Sequence, residues 1–166
     1  GLLTAEELAS AKQKTPFVTE SDRLQSEREL LLRKAAARAK NRAEILAFIK
    51  KRPQLDNACR FLALKKANGG LPWQKFAVTE PRDEDYFYFA FTQFHFMRQW
   101  QAVKSYANAK GISLIGDLPI YVAEDSADVY GNRDQFLLDE EGHPTEVAGV
   151  PPDYFCEDGQ LWGNPL

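Results

Sequence analysis

Cysteine, histidine and methionine are scarce in this 166-residue chain, which holds two Cys, two His and one Met. Cys59 and Cys156 cannot build a disulfide framework or a four-ligand zinc site, and His95 and His143 leave little material for a histidine metal centre. Asp117, Asp125 and Asp128 lack the spacing of a calcium loop. No metal and no other cofactor is therefore expected. No run approaches the roughly 18 consecutive apolar residues of a membrane span. Gly1–Thr4 has neither the basic start nor the apolar stretch of a signal peptide, and Asn-x-Ser/Thr is absent. The expectation is a cytoplasmic chain with no membrane partner, and its apolar fraction of 44% suits one ordinary globular core.

Positive charge is also scarce, but only at the back. From Gly111 onward Arg133 is the sole basic residue against 12 acids, whereas residues 1–75 carry 16 Lys/Arg against 8 Asp/Glu. At the front the basic residues alternate with acids and alanines along helical segments. That pattern reads as a solvated helix face, not a nucleic-acid interface. The acidic back argues against a polyanionic ligand. A neutral ligand such as a sugar fits better.

The front is patterned for helices. Leu24, Leu31, Ala35, Ala39, Ala43, Leu46 and Ile49 recur at three- and four-residue spacing, predicting one helix over residues 21–52 with Ser21 or Asp22 as its cap. Pro53 ends that run. A shorter helix is expected from about Asp56, its carboxylate serving the first N–H groups, to the left-handed stop at Asn68-Gly69-Gly70. Trp73 then falls in a loop between Pro72 and Pro81. Tyr86–Ala109 gathers nine of the twenty aromatic residues. Its length and its Phe87, Phe91, Phe94, Met97, Gln101 series favour a helix over a strand, apolar nearly all round and buried on most sides.

Past Gly111, the run Ile112–Val122 has the continuous apolar character of a parallel strand buried on both faces. Asp117 then lies near that strand's C-terminal end, where α/β folds place ligand chemistry. The remaining residues show no long periodicity. Asp139–Pro144 reads as an exposed turn between two short extended pieces, with His143 at the surface. Residues 149–166 interleave Gly and Pro with aromatics, amides and acids. Such loops serve function more often than they fill space. Aromatic faces accept the C–H face of a sugar ring while Asp, Asn and Gln bond its hydroxyls.

Three runs carry a specific resemblance. They are Gly116-Asp117-Leu118-Pro119-Ile120-Tyr121-Val122-Ala123 with Asp125-Ser126-Ala127-Asp128-Val129, Val147-Ala148-Gly149-Val150-Pro151-Pro152-Asp153-Tyr154-Phe155, and Gly159-Gln160-Leu161-Trp162-Gly163-Asn164-Pro165-Leu166. Together they closely resemble the 4-α-glucanotransferases, the amylomaltases or disproportionating enzymes of the α-amylase clan. Leu62–Trp73, Phe96–Trp100 and Ala107–Gly111 extend the likeness upstream. Residues 1–50 match only in helical character.

The resemblance implies an α/β fold: a fragment of a (β/α)8 TIM barrel with a mostly helical insertion and a loop-rich second one. Residues 1–85 would be the helical insertion, 86–119 a barrel helix with its strand, and 120–166 the insertion bearing a glucan-binding loop. It implies transfer of α-1,4-glucan segments to glucose or maltooligosaccharide acceptors by retaining double displacement. Asp117 takes the position of an active-site carboxylate that bonds glucosyl hydroxyls. Asp153, Tyr154, Phe155, Gln160, Trp162 and Asn164 fall in the loop over the bound chain, where Cys156 replaces what is commonly a small polar residue. The family's nucleophile sits in an Arg-Ile-Asp motif that this sequence lacks, so no catalytic nucleophile or acid/base is expected within it. A barrel needs about 250 residues; the partner would be the remainder of the same enzyme chain. The competing readings are a non-catalytic carbohydrate-binding module, which the helical front disfavours, and a helical interaction domain, which leaves the Gly/Pro loop unexplained.

Overall fold

The computed structural model describes residues 1–13, 15 and 17–166, apart from the side chains of Asp22 and Gln25. Helices lead the chain: α1 (Ala5–Ser10), α2 (Ser21–Ala37), α3 (Arg42–Lys50), α4 (Pro53–Ala67), α5 (Asp83–Ala109) and the short α6 (Ala127–Gly131). Single 3-10 turns follow at Trp73–Lys75 and Arg133–Gln135, and an antiparallel pair, β1 (Val147–Val150) and β2 (Gln160–Pro165), ends it.

The expected helix over 21–52 is two helices. The apolar stripe continues across residues 38–41, but Arg38 turns away to donate to the Leu2 carbonyl (3.0 Å) and to both carboxylate oxygens of Glu7 (2.7 and 3.0 Å). The break lets α3 fold back so that Ile45 and Ile49 pack with Ala35, Ala36, Cys59, Phe87, Tyr88, Ala90, Phe91 and Phe94. Glu20, not Ser21, stands at the N-cap of α2, with no side-chain capping bond; the Asp22 side chain lies outside the described atoms. Pro53 does not merely stop α3. It opens α4 at the first-turn position, where its missing N–H costs nothing. Asp56 consequently sits inside α4 and, instead of capping it, accepts a 2.6 Å hydrogen bond from the Tyr86 hydroxyl. Burial pushes the Cys59 thiol up to about 12, leaving it inert.

α1 starts in a capping box: Thr4 Oγ1 accepts from the Glu7 N–H and Glu7 accepts from the Thr4 N–H. The Arg38 hydrogen bond, aided by the Thr4 N–H, holds the Glu7 carboxyl down from 4.5 to about 2. Because the folded value is the lower one, the tie stabilises the fold above about pH 4.5 and is lost as pH falls towards 2. A proton titration of Glu7 followed by NMR should therefore show a midpoint near 2, and Arg38→Ala should return it towards 4.5.

Asn68 organises the connection after α4. This buried amide donates to the Leu64 and Val78 carbonyls (2.9 Å each), and its oxygen accepts from the N–H groups of Ala77 (2.8 Å) and Val78 (2.9 Å). All of its bonding capacity is used. The loop it shapes delivers Trp73, which is 4% exposed. With Phe61 and Val129 it forms a second core, joined by Phe76, Val122, Tyr130, Phe136 and Leu138.

α5 is the helix its length predicted, and Gly111 (φ +76°) ends it, with the Ile112 N–H returning to the Ala107 carbonyl. Its burial is one-sided along its length. The N-terminal half buries Phe87, Tyr88, Ala90, Phe91 and Phe94 against α2, α3 and α4, whereas Phe96, Trp100, Val103 and Tyr106 are exposed. The expected strand over 112–122 forms no ladder among the described residues: the segment is irregular, and Ile115, Leu118 and Ile120 are largely exposed. A strand exists only when a neighbouring backbone satisfies its N–H and C=O groups, and no described backbone group bonds residues 113–122 in this way.

The back, where no regular structure was expected, forms the β1–β2 pair. Its register runs Val147–Pro165, Gly149–Leu161 and Val150–Gln160, with an irregularity between Val147 and Gly149. The Asp139–His143 turn is as expected, closed by Asp139 Oδ1 on the His143 N–H (2.7 Å) and flanked by a Leu138–Pro144 bridge.

Candidate functional site

The β1–β2 pair projects a loop, residues 151–159, that is shaped by glycine and by one aspartate. A Cβ on Gly149 would come within 2.7 Å of the Gln160 carbonyl oxygen, and one on Gly159 (φ +70°) within 2.6 Å of that of Val150. Only glycine lets the two strands approach so closely here. Asp153 closes the tip as an Asx turn, its Oδ1 accepting from the N–H groups of Phe155 (2.9 Å) and Cys156 (2.8 Å). The Cys156 thiol donates to the Gly159 carbonyl (3.0 Å), a bond a small hydroxyl residue would also make. Held this way, Tyr154 and Phe155 stand out at 95% and 90% exposure, paired edge to face at 5.6 Å. No internal contact accounts for two such rings at a braced tip.

Below the tip, β2 carries the other sequence-predicted residues. The Trp162 indole N–H donates to Gln160 Oε1 (2.9 Å), its ring meets Tyr121 at 5.6 Å, and Asn164 Nδ2 donates to the Val122 carbonyl (2.8 Å). Six of the seven candidates therefore share one hairpin. Asp117 lies apart on the irregular segment, exposed and without a hydrogen bond or ion pair to any described residue. The Gln160 amide N–H groups and the Asn164 oxygen make no hydrogen bond to a described residue.

Sequence reasoning missed the residues that carry this hairpin. The Trp73 indole N–H donates to the Glu124 carbonyl (2.9 Å), and Gln74 Nε2 bonds Glu124 Oε1 (2.7 Å) and the Gly142 carbonyl (3.1 Å). His143, at the surface as expected, reaches the same Glu124 oxygen at 3.0 Å, and Lys65 pairs with Asp125. Arg133, the lone cation of the back, stacks 4.3 Å over Trp73. The one signal in the sequence was Trp73 between two prolines. Tyr121, too, was passed over inside its apolar run.

A cavity of about 520 Å³ opens elsewhere, between α2, α4 and the start of α5, lined by Arg33, Arg42, Lys66, Arg82, Asp85 and Tyr88. Of its cations, Arg33 pairs with Glu29 and Asp85, Arg42 with Asp83 and Lys66 with Glu29, whereas Arg82 makes no ion pair with a described residue. Among the described residues no helix is long and apolar enough to cross a membrane, and no group of three or more His, Cys, Asp or Glu could hold a metal ion.

Comparison with known proteins finds relatives along most of the chain. A family model described as 4-alpha-glucanotransferase matches residues 2–166. The 4-alpha-glucanotransferase of Thermus thermophilus is 52% identical over 125 residues, covering 68% of this chain and 25% of that protein. The chloroplastic/amyloplastic enzyme of Oryza sativa is 40% identical over 171 residues, covering 89% of this chain and 28% of that protein. Among solved structures, an amylomaltase from Streptococcus agalactiae in complex with acarbose superposes with a TM-score of 0.86 at 32% identity, covering 99% of this chain and 37% of that one. The chain thus spans roughly a quarter to a third of the proteins it matches.

Proposed function

The chain belongs to the 4-alpha-glucanotransferase family, and on that premise we propose that it is an internal portion of an enzyme transferring α-1,4-glucan segments to glucose or maltooligosaccharide acceptors. The observation that carries this reading is the braced hairpin that presents Tyr154, Phe155 and Trp162 to solvent with amide groups beside them. Ring faces and amides on one rigid loop suit a neutral, hydroxyl-rich chain.

In the complete enzyme, residues 1–85 form the helical insertion, 86–119 supply a barrel helix and strand, and 120–166 form the second insertion with the glucan loop. The remainder of the barrel covers the exposed apolar row that runs from Phe96 through Tyr106 to Ile120. Retaining transfer needs a carboxylate nucleophile opposed by an acid/base about 5–5.5 Å away. The acid/base protonates the glycosidic oxygen as the nucleophile takes the anomeric carbon. The ester so formed is then opened by an acceptor hydroxyl, which returns its proton to the same base. Both groups come from the rest of the enzyme. This chain contributes Asp117, bonding sugar hydroxyls, and the loop residues Asp153, Tyr154, Phe155, Gln160, Trp162 and Asn164, holding the glucan.

Two measurements test the proposal. Incubated with maltotriose, the 166-residue chain alone should yield neither glucose nor longer oligomers, and disproportionation that survives repurification would overturn the fragment reading. In the full-length enzyme, Trp162→Ala should shift the balance from transfer towards hydrolysis, because water then competes better for the glycosyl ester. If the melting temperature falls while that ratio stays fixed, Trp162 is an internal anchor and the glucan-loop assignment is wrong.

A further inference from the structure

The hairpin is moored to the helical front through the segment around Val122. Val122 packs into the core built on Phe61, Trp73 and Val129, and two residues later Glu124 receives the Trp73 indole bond. Two side chains of β2 reach back to this segment. Asn164 donates to the Val122 carbonyl at 2.8 Å, and the Trp162 ring lies against Tyr121 with centroids 5.6 Å apart and planes at 67°. Consecutive residues of one segment thus hold alternate residues of the other. Trp162 is 46% exposed, so packing alone leaves its ring several rotamers. Tyr121 on one side and the Gln160 bond on its N–H restrict it to one.

We propose that Tyr121 is a positioning residue for carbohydrate binding: with the Gln160 bond it fixes the Trp162 ring so that one face is offered to a glucosyl unit, and Asn164 ties the glucan loop to the segment that carries Asp117. This rests on the glucan-loop reading above. Neither residue exchanges a proton with the substrate. Asn164 adds its bond to Val122 to the glucan contact assigned to it above, and Tyr121 acts through its ring against Trp162. Losing the Tyr121 ring costs acceptor capture, because an indole that must be ordered on binding binds more weakly.

The test is a double-mutant cycle in the full-length enzyme, reading acceptor KM, kcat, the transfer-to-hydrolysis ratio and the melting temperature. Tyr121→Ala and Asn164→Ala should each raise acceptor KM about five- to tenfold and lower the transfer ratio. Tyr121→Phe, which keeps the ring, should recover most of what Tyr121→Ala loses. The double change Tyr121→Ala with Trp162→Ala should be no worse than Trp162→Ala alone, since Tyr121 acts through that ring. Additive effects, or a lowered melting temperature with unchanged acceptor KM, would overturn the positioning role. If Trp162→Ala acts and Tyr121→Ala does not, this inference fails and the glucan-loop reading stands. If Trp162→Ala itself changes nothing but stability, both fail.

Discussion

Trp73→Ala should loosen the whole back of the molecule from its helical front. The indole is buried in the core that joins α4 to the back of the molecule. It donates to the Glu124 carbonyl at 2.9 Å, meets Tyr130 at 5.9 Å, and lies 4.3 Å under the Arg133 guanidinium. Truncating a buried Trp to Ala costs about 3–5 kcal/mol through lost contact and the cavity left behind. The Glu124 carbonyl also loses its donor, a further cost of about 1 kcal/mol. Against a domain stability of about 5–15 kcal/mol that is a large share. Calorimetry should show a melting temperature lower by many degrees, and limited proteolysis should open residues 122–145 first. Gly142 tests the same seam from the other side. It sits at φ +89°, and a Cβ there would come within 2.3 Å of the indole, so Gly142→Ala combines backbone strain with overpacking. A Trp73→Ala protein that melts within a degree or two of the parent would show that the seam does not depend on this residue.

What the sequence makes legible is local, and what it conceals depends on distant neighbours. The stops at Gly69-Gly70 and Gly111 were readable because a positive φ is written in the residue itself. The helical character of 83–109 was readable from its length and spacing. The break at 38–41 was not, since the apolar stripe runs through it and the Leu2 and Glu7 groups that Arg38 bonds there lie more than thirty residues away. Periodicity likewise marked the apolar side chains of 96–106 and 112–120 without saying what covers them, so burial was expected where this chain alone gives exposure. The β1–β2 pair escaped notice because Gly149 and the positive φ of Gly163 interrupt the alternation that announces a strand. The candidate site divides the same way. Its residues stood together in sequence and were found as a group, whereas their mooring through Tyr121, Val122, Glu124 and Trp73 joins segments that only the fold brings together.

Asp117→Ala in the full-length enzyme should lower turnover by about a hundredfold or more while leaving folding nearly unchanged. The two halves of that expectation come from different observations. Folding is spared because Asp117 is exposed and bonds no described residue, so its removal leaves no buried group unpaired. Turnover suffers because of where the proposed barrel places it, near the C-terminal end of a strand, where such folds gather their catalytic groups. A carboxylate there accepts hydrogen bonds from glucosyl hydroxyls. Those bonds strengthen as the ring flattens and positive charge grows on it, so they favour the transition state more than the bound substrate. An interaction made mainly in the transition state lowers kcat and kcat/KM together and spares KM. Asp117→Asn separates charge from shape: the amide keeps one accepting oxygen at similar size, so it should restore part of the lost turnover if hydrogen bonding dominates, and little if charge does. Kinetics on both variants, with circular dichroism and melting curves as the folding control, read these contributions separately. Near-normal turnover in Asp117→Ala would remove Asp117 from the substrate site altogether.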